Sequence, residues 1–273
     1  MGFSKKDLLD VESLAVNDIY MILDTAEGMK EISERPVKKV PTLRGKTVIL
    51  FFQEPSTRTR LSFDNAAKRL SADSISISKS TSSIVKGETL IDTARNLDAM
   101  NPDVIVMRHS SSGAAHIVAK RVNASVINAG DGIHAHPTQA LLDLMSVREK
   151  KGSVNGLTIA IVGDIAHSRV ARSDIALFSK MGADVRITAP RTMIPSGVES
   201  MGCKVYPDME SCVQGVDVVM MLRIQKERQE NVLFPSEREY AAEFGLNMKR
   251  LKLAKPDALV MHPGPMNRGV EIT

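Results

Sequence analysis

Thr47-Val-Ile-Leu-Phe-Phe52, followed at once by Gln53-Glu-Pro-Ser-Thr-Arg-Thr-Arg60, is the stretch that decides the fold. Its first half is continuously apolar and rich in residues that favour strands. A strand with no polar alternation is buried on both faces, as in a parallel sheet. Pro55 stops the strand, Ser56 suits an N-cap, and a helix is predicted from Thr57. That helix places Leu61, Ala66, Ala67 and Leu70 at near-helical spacing. A strand running straight into a helix is half of a βαβ unit.

The same alternation continues outward from this stretch. Further apolar runs lie at Val104–Met107, Ser125–Ile127, Leu157–Val162, Asp184–Thr188, Val216–Leu222 and Ala258–Met261. Helical patterns fall between them, at Glu88–Met100, Gly113–Arg121, Pro137–Lys150 and Ser168–Met181. The order predicts an α/β protein of two doubly wound domains, each with a mainly parallel sheet flanked by helices. The boundary is placed at the helix 137–150, which ends in the charged run Arg148-Glu-Lys-Lys and then Gly152. This divides the chain into residues 1–136, a linking helix 137–150, and residues 151–273. Ser71–Ser83 carries seven serines. It contains an expected edge strand at Ser74–Ser78 and then a polar loop ending in Lys86-Gly87-Glu88. Long polar loops are surface features by default, and they also carry function.

Composition excludes several classes. The 273 residues are 43% hydrophobic and 25% charged, ordinary for a globular protein. Aromatics are 4% and Trp is absent, which argues against a stacking platform for single-stranded nucleic acid. A net charge of +4 is too small and dispersed for DNA binding but suits small anionic substrates. Cys203 and Cys212 form no disulfide framework and no zinc-finger spacing, so inert thiols in a reducing compartment are expected. No apolar run reaches membrane-span length, and the N-terminus has no signal-peptide core. The expectation is a cytoplasmic protein that binds neither membrane nor nucleic acid.

Open α/β sheets bind ligands beyond the carboxyl ends of their strands. Arginine stands at or just after four of these ends, as Arg58, Arg108, Arg169 and Arg223. Strands that end repeatedly in arginine resemble a cleft for oxyanions. At the first end, a helix N-terminus offers unpaired amides and a positive dipole end, which suits phosphate. Ser56, Thr57 and Thr59 add hydroxyls, and Arg58 adds a bidentate guanidinium. Taken alone, the segment also reads as an ordinary capped helix with solvated arginines. His134 and His136 near Asp131 admit a metal reading, but no further cluster of ligand spacing accompanies them. A neutral His136 that donates a hydrogen bond to a carbonyl oxygen is preferred, with Gln139 on the same helical face. His134 and His116 are expected only to pack or to face solvent. Gly163-Asp-Ile-Ala-His-Ser lacks the later glycines of a dinucleotide loop, and no G-x-S-x-G or H-E-x-x-H occurs. Neither a metal nor a cofactor is expected.

Six segments, in order over nearly the whole chain, resemble the aspartate/ornithine carbamoyltransferase family. They are Ser56-Thr-Arg-Thr-Arg60, Met107-Arg-His109, His136-Pro-Thr-Gln-Ala-Leu-Leu-Asp143, Gly163-Asp164 with Arg169, Arg223-Ile-Gln-Lys-Glu-Arg228 and His262-Pro-Gly-Pro265. Arg223-Ile-Gln225 and the Lys86-Gly87-Glu88 loop resemble the aspartate-specific branch. The ornithine branch has His-Cys-Leu-Pro where this chain has His262-Pro-Gly-Pro265. The resemblance implies carbamoyl transfer from carbamoyl phosphate to L-aspartate, in pyrimidine synthesis, with residues 1–136 binding the first substrate and 151–273 the second. It implies that Ser56, Thr57, Arg58 and Thr59 hold the phosphate, and that Arg108, His136 and Gln139 hold the carbamoyl end. Backbone groups at Gly264 and Pro265 join them. Arg169, Arg223 and Gln225 would grip aspartate, together with Lys86.

The resemblance also implies a homotrimer in which Ser82 and Lys86 reach into a neighbour's site. A separate regulatory or dihydroorotase chain is compatible with it as a further partner. Family members usually continue for some tens of residues past the Pro-Gly-Pro turn, through a helix that returns to the first domain. This sequence stops at Thr273, so an incomplete chain is expected. Carbamoyl phosphate is a mixed anhydride with a good leaving group, so the chemistry requires neither metal nor covalent intermediate. Arg108, His136 and Thr59 would stabilise the oxyanion.

Overall fold

The computed structural model describes residues 3–78, 88–225, 234 and 236–273. The chain divides into two compact units, Met1–Thr138 and Gln139–Thr273. The first holds α1 (Val16–Glu34), β1 (Thr47–Phe52), α2 (Thr57–Arg69), β2 (Asp73–Ser78), α3 (Leu90–Asp98), β3 (Val104–His109), α4 (Ala114–Ala119) and β4 (Ser125–Asp131). The helix α5 (Pro137–Lys151) begins in the first unit and runs into the second. The second continues with β5 (Thr158–Val162), α6 (Arg169–Lys180), β6 (Asp184–Thr188), β7 (Cys203–Val205), α7 (Met209–Val213), β8 (Val218–Met221), α8 (Glu237–Phe244), α9 (Met248–Leu251) and β9 (Leu259–Met261).

The first unit's sheet has the order β2-β1-β3-β4, and every pairing is parallel. The continuous apolar run of β1 explains its position beside two neighbours. Ile49 and Phe51 point into a core shared with Ala94 and Leu97 of α3 and Ala115 and Val118 of α4. Val48, Leu50 and Phe52 point the other way, into a core with Ala67 and Phe63 of α2. Successive residues on a strand face opposite sides, so a sheet covered on both faces needs both sets apolar. The serine-rich β2 lies at the edge, with Ile75 47% exposed. Leu61 on α2 is 55% exposed and does not join the core.

One pairing has no period-2 signature in the sequence. The N-terminal segment lies against β4, with the Leu8 amide donating to Val126 O at 2.9 Å and the Asn128 amide to Leu8 O at 2.8 Å.

The second sheet has the order β7-β6-β5-β8-β9, again parallel throughout. In each sheet the strand order reverses beside the first strand, between β1 and β3 and between β5 and β8. Such reversals open a crevice at the carboxyl edge, because the crossovers leave in opposite directions. Ala160 and Val162 of β5 pack with Met209, Cys212 and Val213 of α7 and with Val219 and Met221 of β8. Both cysteines are free and buried. Burial pushes the Cys203 thiol up to about 11 and the Cys212 thiol to about 12, so both stay protonated at neutral pH. No helix among the described residues is long and apolar enough to cross a membrane.

Candidate active site

In the first unit, the reversal between β1 and β3 gathers the sharpest polar residues. β1 ends at Phe52 and α2 begins at Thr57. Ser56 has the extended backbone of an N-cap, yet its side chain makes no capping bond. By contrast, Thr89, Ser168, Asp208, Ser236 and Asn247 all cap their own helices. The first turn of α2 also lacks any acidic residue. Its N-terminal end, like those of α1 and α4, has no side-chain cap, and its dipole would favour an anion there. Thr57 and Arg58 are exposed, and Ser56 and Thr59 half-buried.

Arg108 is near the end of β3, the strand beside β1. Its Nη1 donates to Thr59 Oγ1 at 3.4 Å and to Ala129 O at 3.2 Å, and its Nη2 to Glu54 Oε1 at 2.8 Å. The Glu54–Arg108 pair has side-chain exposures of 19% and 12%, so solvent screens it little. Glu54 orients the guanidinium fork beside the α2 N-terminus, a role with no signature in the sequence. Gln53 is buried, and its Nε2 has no partner among the described residues. This leaves an amide donor at the same strand end.

His136 is buried one strand further on, where the Asp131 amide donates to Ala135 O at 3.1 Å and closes the turn before α5. Thr138 Oγ1 lies 3.4 Å from His136 Nδ1. His134 is held separately, its Nδ1 at 3.1 Å from Asp131 Oδ2. Its ring meets His116 edge-on, at 5.5 Å between centroids.

In the second unit, the reversal between β5 and β8 gathers Asp164, Arg169, Arg223 and Gln225. Arg169 is the first residue of α6 and is 3% exposed. Asp164 is fully buried and organises the loops around it. Its Oδ1 lies 2.7 Å from His167 Nδ1, and its Oδ2 accepts the Gln225 amide at 3.2 Å. Glu271, also fully buried, accepts the Ile224 amide at 3.0 Å and both Asn267 donors at 2.7 Å. Two carboxylates from distant parts of the chain thus hold the segment Arg223–Gln225. The Gly264–Pro265 bond is cis, and the Gly264 amide donates to His262 Nδ1 at 2.8 Å.

Gln139 lies on α5, where its Nε2 donates to both Asp143 carboxylate oxygens at 3.1 Å. Burial pushes the Asp143 carboxyl up to about 7, against the lowering effect of Gln139. Asp174 on α6 is fully buried, and neither of its oxygens has a partner among the described residues. Burial, and then the Asp143 charge, raise its pKa well above the carboxylate range. Ser82 and Lys86 lie outside the described residues.

In the first unit, the α2 N-terminus and Arg108 place anion-compatible donors at neighbouring strand ends; in the second, Arg169 and Arg223 follow β5 and β8. Known proteins place the chain firmly. The family model described as aspartate/ornithine carbamoyltransferase, carbamoyl-P binding domain, matches residues 6–149. That of the Asp/Orn binding domain matches residues 155–273. The chain is 78% identical over 273 residues to the aspartate carbamoyltransferase catalytic subunit of Desulforapulum autotrophicum, spanning all of this chain and 88% of that one. Aspartate transcarbamoylase from Trypanosoma cruzi, solved with carbamoyl aspartate and phosphate, superposes with a TM-score of 0.85 at 31% identity, over 99% of this chain and 87% of that one. Ornithine carbamoyltransferase from Pyrococcus furiosus superposes at 0.87 and 31% identity, over 100% and 89%. The two parallel sheets, each with arginines at or just after the carboxyl ends of its strands, are thus those of a member of the aspartate/ornithine carbamoyltransferase family, to which this chain belongs.

Proposed function

We propose that the chain transfers the carbamoyl group of carbamoyl phosphate to the amino group of L-aspartate, giving N-carbamoyl-L-aspartate and phosphate. The observation that carries this reading is the pairing at the first strand reversal. A helix N-terminus left uncapped by Ser56 stands beside an Arg108 fork already bonded to Thr59. In this reading the first-turn amides, Ser56, Thr57, Arg58 and Thr59 take the phosphate. Arg108, Thr59 and His136 donate to the carbonyl oxygen as negative charge builds on it. Removing one such donor typically costs about 2.7–4 kcal/mol of transition-state stabilisation. The departing phosphate accepts the amine proton, so no protein base is invoked. Arg169, Arg223 and Gln225 hold the aspartate carboxylates. The roles that the resemblance gives to Gln139, Gly264 and Pro265 belong to the same proposal.

Aspartate is preferred over ornithine because the 78%-identical relative is named for aspartate, and because the backbone of Ile224 and Gln225, next to Arg223, is fixed by Glu271 and Asp164 in a segment suited to carboxylates. Ornithine would bring a second ammonium group to arginines and gain nothing from them. The discriminating experiment supplies carbamoyl phosphate with either amino acid and follows phosphate release. Turnover with aspartate is expected; turnover with ornithine alone would sink the assignment. The trimer with shared sites, completed by Ser82 and Lys86 of a neighbour, is part of this proposal. The exposed Leu61 and Ile75 are compatible with a covered face in such an assembly.

A further inference from the structure

Outside every residue given to a substrate, the first unit brings two histidines and one carboxylate together. One ring nitrogen of His116, one of His134 and one oxygen of Asp131 all lie within 4.8 Å of one another. We propose that His116, Asp131 and His134 form a binding site for a divalent transition-metal ion of the zinc class.

Three observations carry this beyond mere proximity. The first concerns His116, whose Nε2 is 2.8 Å from Asp10 Oδ2. With Asp10 Oδ2 accepting from the Nε2–H, Nδ1 is left as the lone-pair nitrogen. That Nδ1 is buried and has no hydrogen-bond partner among the described residues. A carboxylate on one nitrogen and a bare lone pair on the other is how metal-binding histidines are prepared.

The second concerns Asp131, which is 1% exposed. Its oxygens accept the Gly113 amide at 2.6 Å, Asn128 Nδ2 at 2.8 Å and the Ala135 amide at 3.1 Å. These are neutral donors. Among the described residues, its one ionic neighbour is His134. A carboxylate offers about four lone-pair sites. Three are filled, and the fourth faces His134 Nδ1. A cation there would replace the proton of that nitrogen, which would shift to Nε2. No net proton need be lost from a neutral ring.

The third is geometric. Bonds of about 2.0–2.1 Å in a tetrahedral set place donor atoms roughly 3.3 Å apart, so the widest pair must close by up to about 1.5 Å. The two rings stand edge to face and have side-chain exposures of 34% and 32%, which leaves them room to turn while the buried Asp131 stays fixed. A water can take the fourth position. Two imidazoles favour zinc, cobalt, nickel or copper over magnesium or calcium. The ion would join the N-terminal segment through Asp10, α4 through His116, and the turn that leads to His136. Its effect would be on the stability of this unit, with the transfer chemistry left to other residues.

Cobalt(II) added to the metal-free chain tests the site. One equivalent should bind with a visible d–d spectrum and without the near-ultraviolet charge-transfer band of a thiolate. Zinc should displace it and raise the melting temperature in proportion to the logarithm of its concentration. H116A should lose at least about 100-fold in cobalt affinity with carbamoyl transfer intact, and D10N should lose about 10–100-fold. The wild-type titration needs no variant to fold. Absence of a stoichiometric site there, a thiolate band, or cobalt binding unchanged in both H116A and H134A would overturn the proposal.

Discussion

Asp143 and Asp174 are carboxylates placed where charge is costly, and each states a consequence at the scale of one side chain. Asp143 keeps its proton in the folded state up to about pH 7, against a usual value of 3.8. Between those values the folded chain binds a proton that the unfolded chain has released. The associated stability is therefore present below about pH 4 and is lost as pH rises toward 7. Asp174 is shifted the same way, by burial first and then by the Asp143 charge. Asp174→Asn keeps the shape and removes the titration. It should stabilise the protein at pH 8 by about 1–3 kcal/mol relative to any change at pH 4, read from urea unfolding at both pH values. Arg58 is the opposite case, an exposed cation with little structural burden. Arg58→Ala should weaken carbamoyl phosphate binding about 10–100-fold in calorimetry, the worth of one charge-assisted bidentate contact. Its melting temperature should hardly move.

At the scale of elements, the exit of β5 is a tight joint beside the candidate site. Gly163 has φ +125°, and a Cβ there would meet Leu222 O and Tyr240 Oη at 3.0 Å. Gly163→Ala should cost about 2 kcal/mol or more and raise the KM for aspartate more than it lowers kcat. The reason is that Asp164, the next residue, holds the Gln225 amide. Denaturant melts and steady-state kinetics would check both halves. Much at this scale was legible beforehand. The runs Thr47–Phe52 and Asp184–Thr188 match their strands residue for residue; the first does so because a strand buried on both faces must be apolar throughout, whereas the second alternates Val185 and Ile187 with half-buried Asp184 and Arg186. Arginines at strand ends were legible as well, since the carboxyl edge is where an α/β sheet keeps its chemistry. The 19-residue α1 was not expected; much else that was not legible rests on single polar residues far from their partners. Glu54 on Arg108, Asp10 on His116 and Glu271 on the Ile224 amide span 54, 106 and 47 residues of chain. No local period encodes such a pairing. The N-terminal segment beside β4 and the short β7 escaped for a related reason: each is too brief to show an alternation.

For the whole molecule, the prediction concerns assembly. If Lys86 serves a neighbour's site, Arg58→Ala and Lys86→Ala chains are each inactive but complement one another when mixed. Random trimers of a 1:1 mixture should regain about a quarter of the native sites. A mixture dissociated, reassembled and assayed for N-carbamoyl-L-aspartate checks this; activity that stays at the level of the separate variants would place Lys86 within its own subunit. The partition of the strands has one more consequence, and it concerns biosynthesis. All four strands of the first sheet lie between Thr47 and Asp131, and the second sheet does not begin until Thr158. Among the described residues, neither sheet borrows a strand from the other half. At about 5–20 residues per second, a ribosome finishes the first set before it makes any of the second. The nascent chain can therefore settle its slow parallel pairings one sheet at a time, with no half-built edge waiting on residues still to be translated.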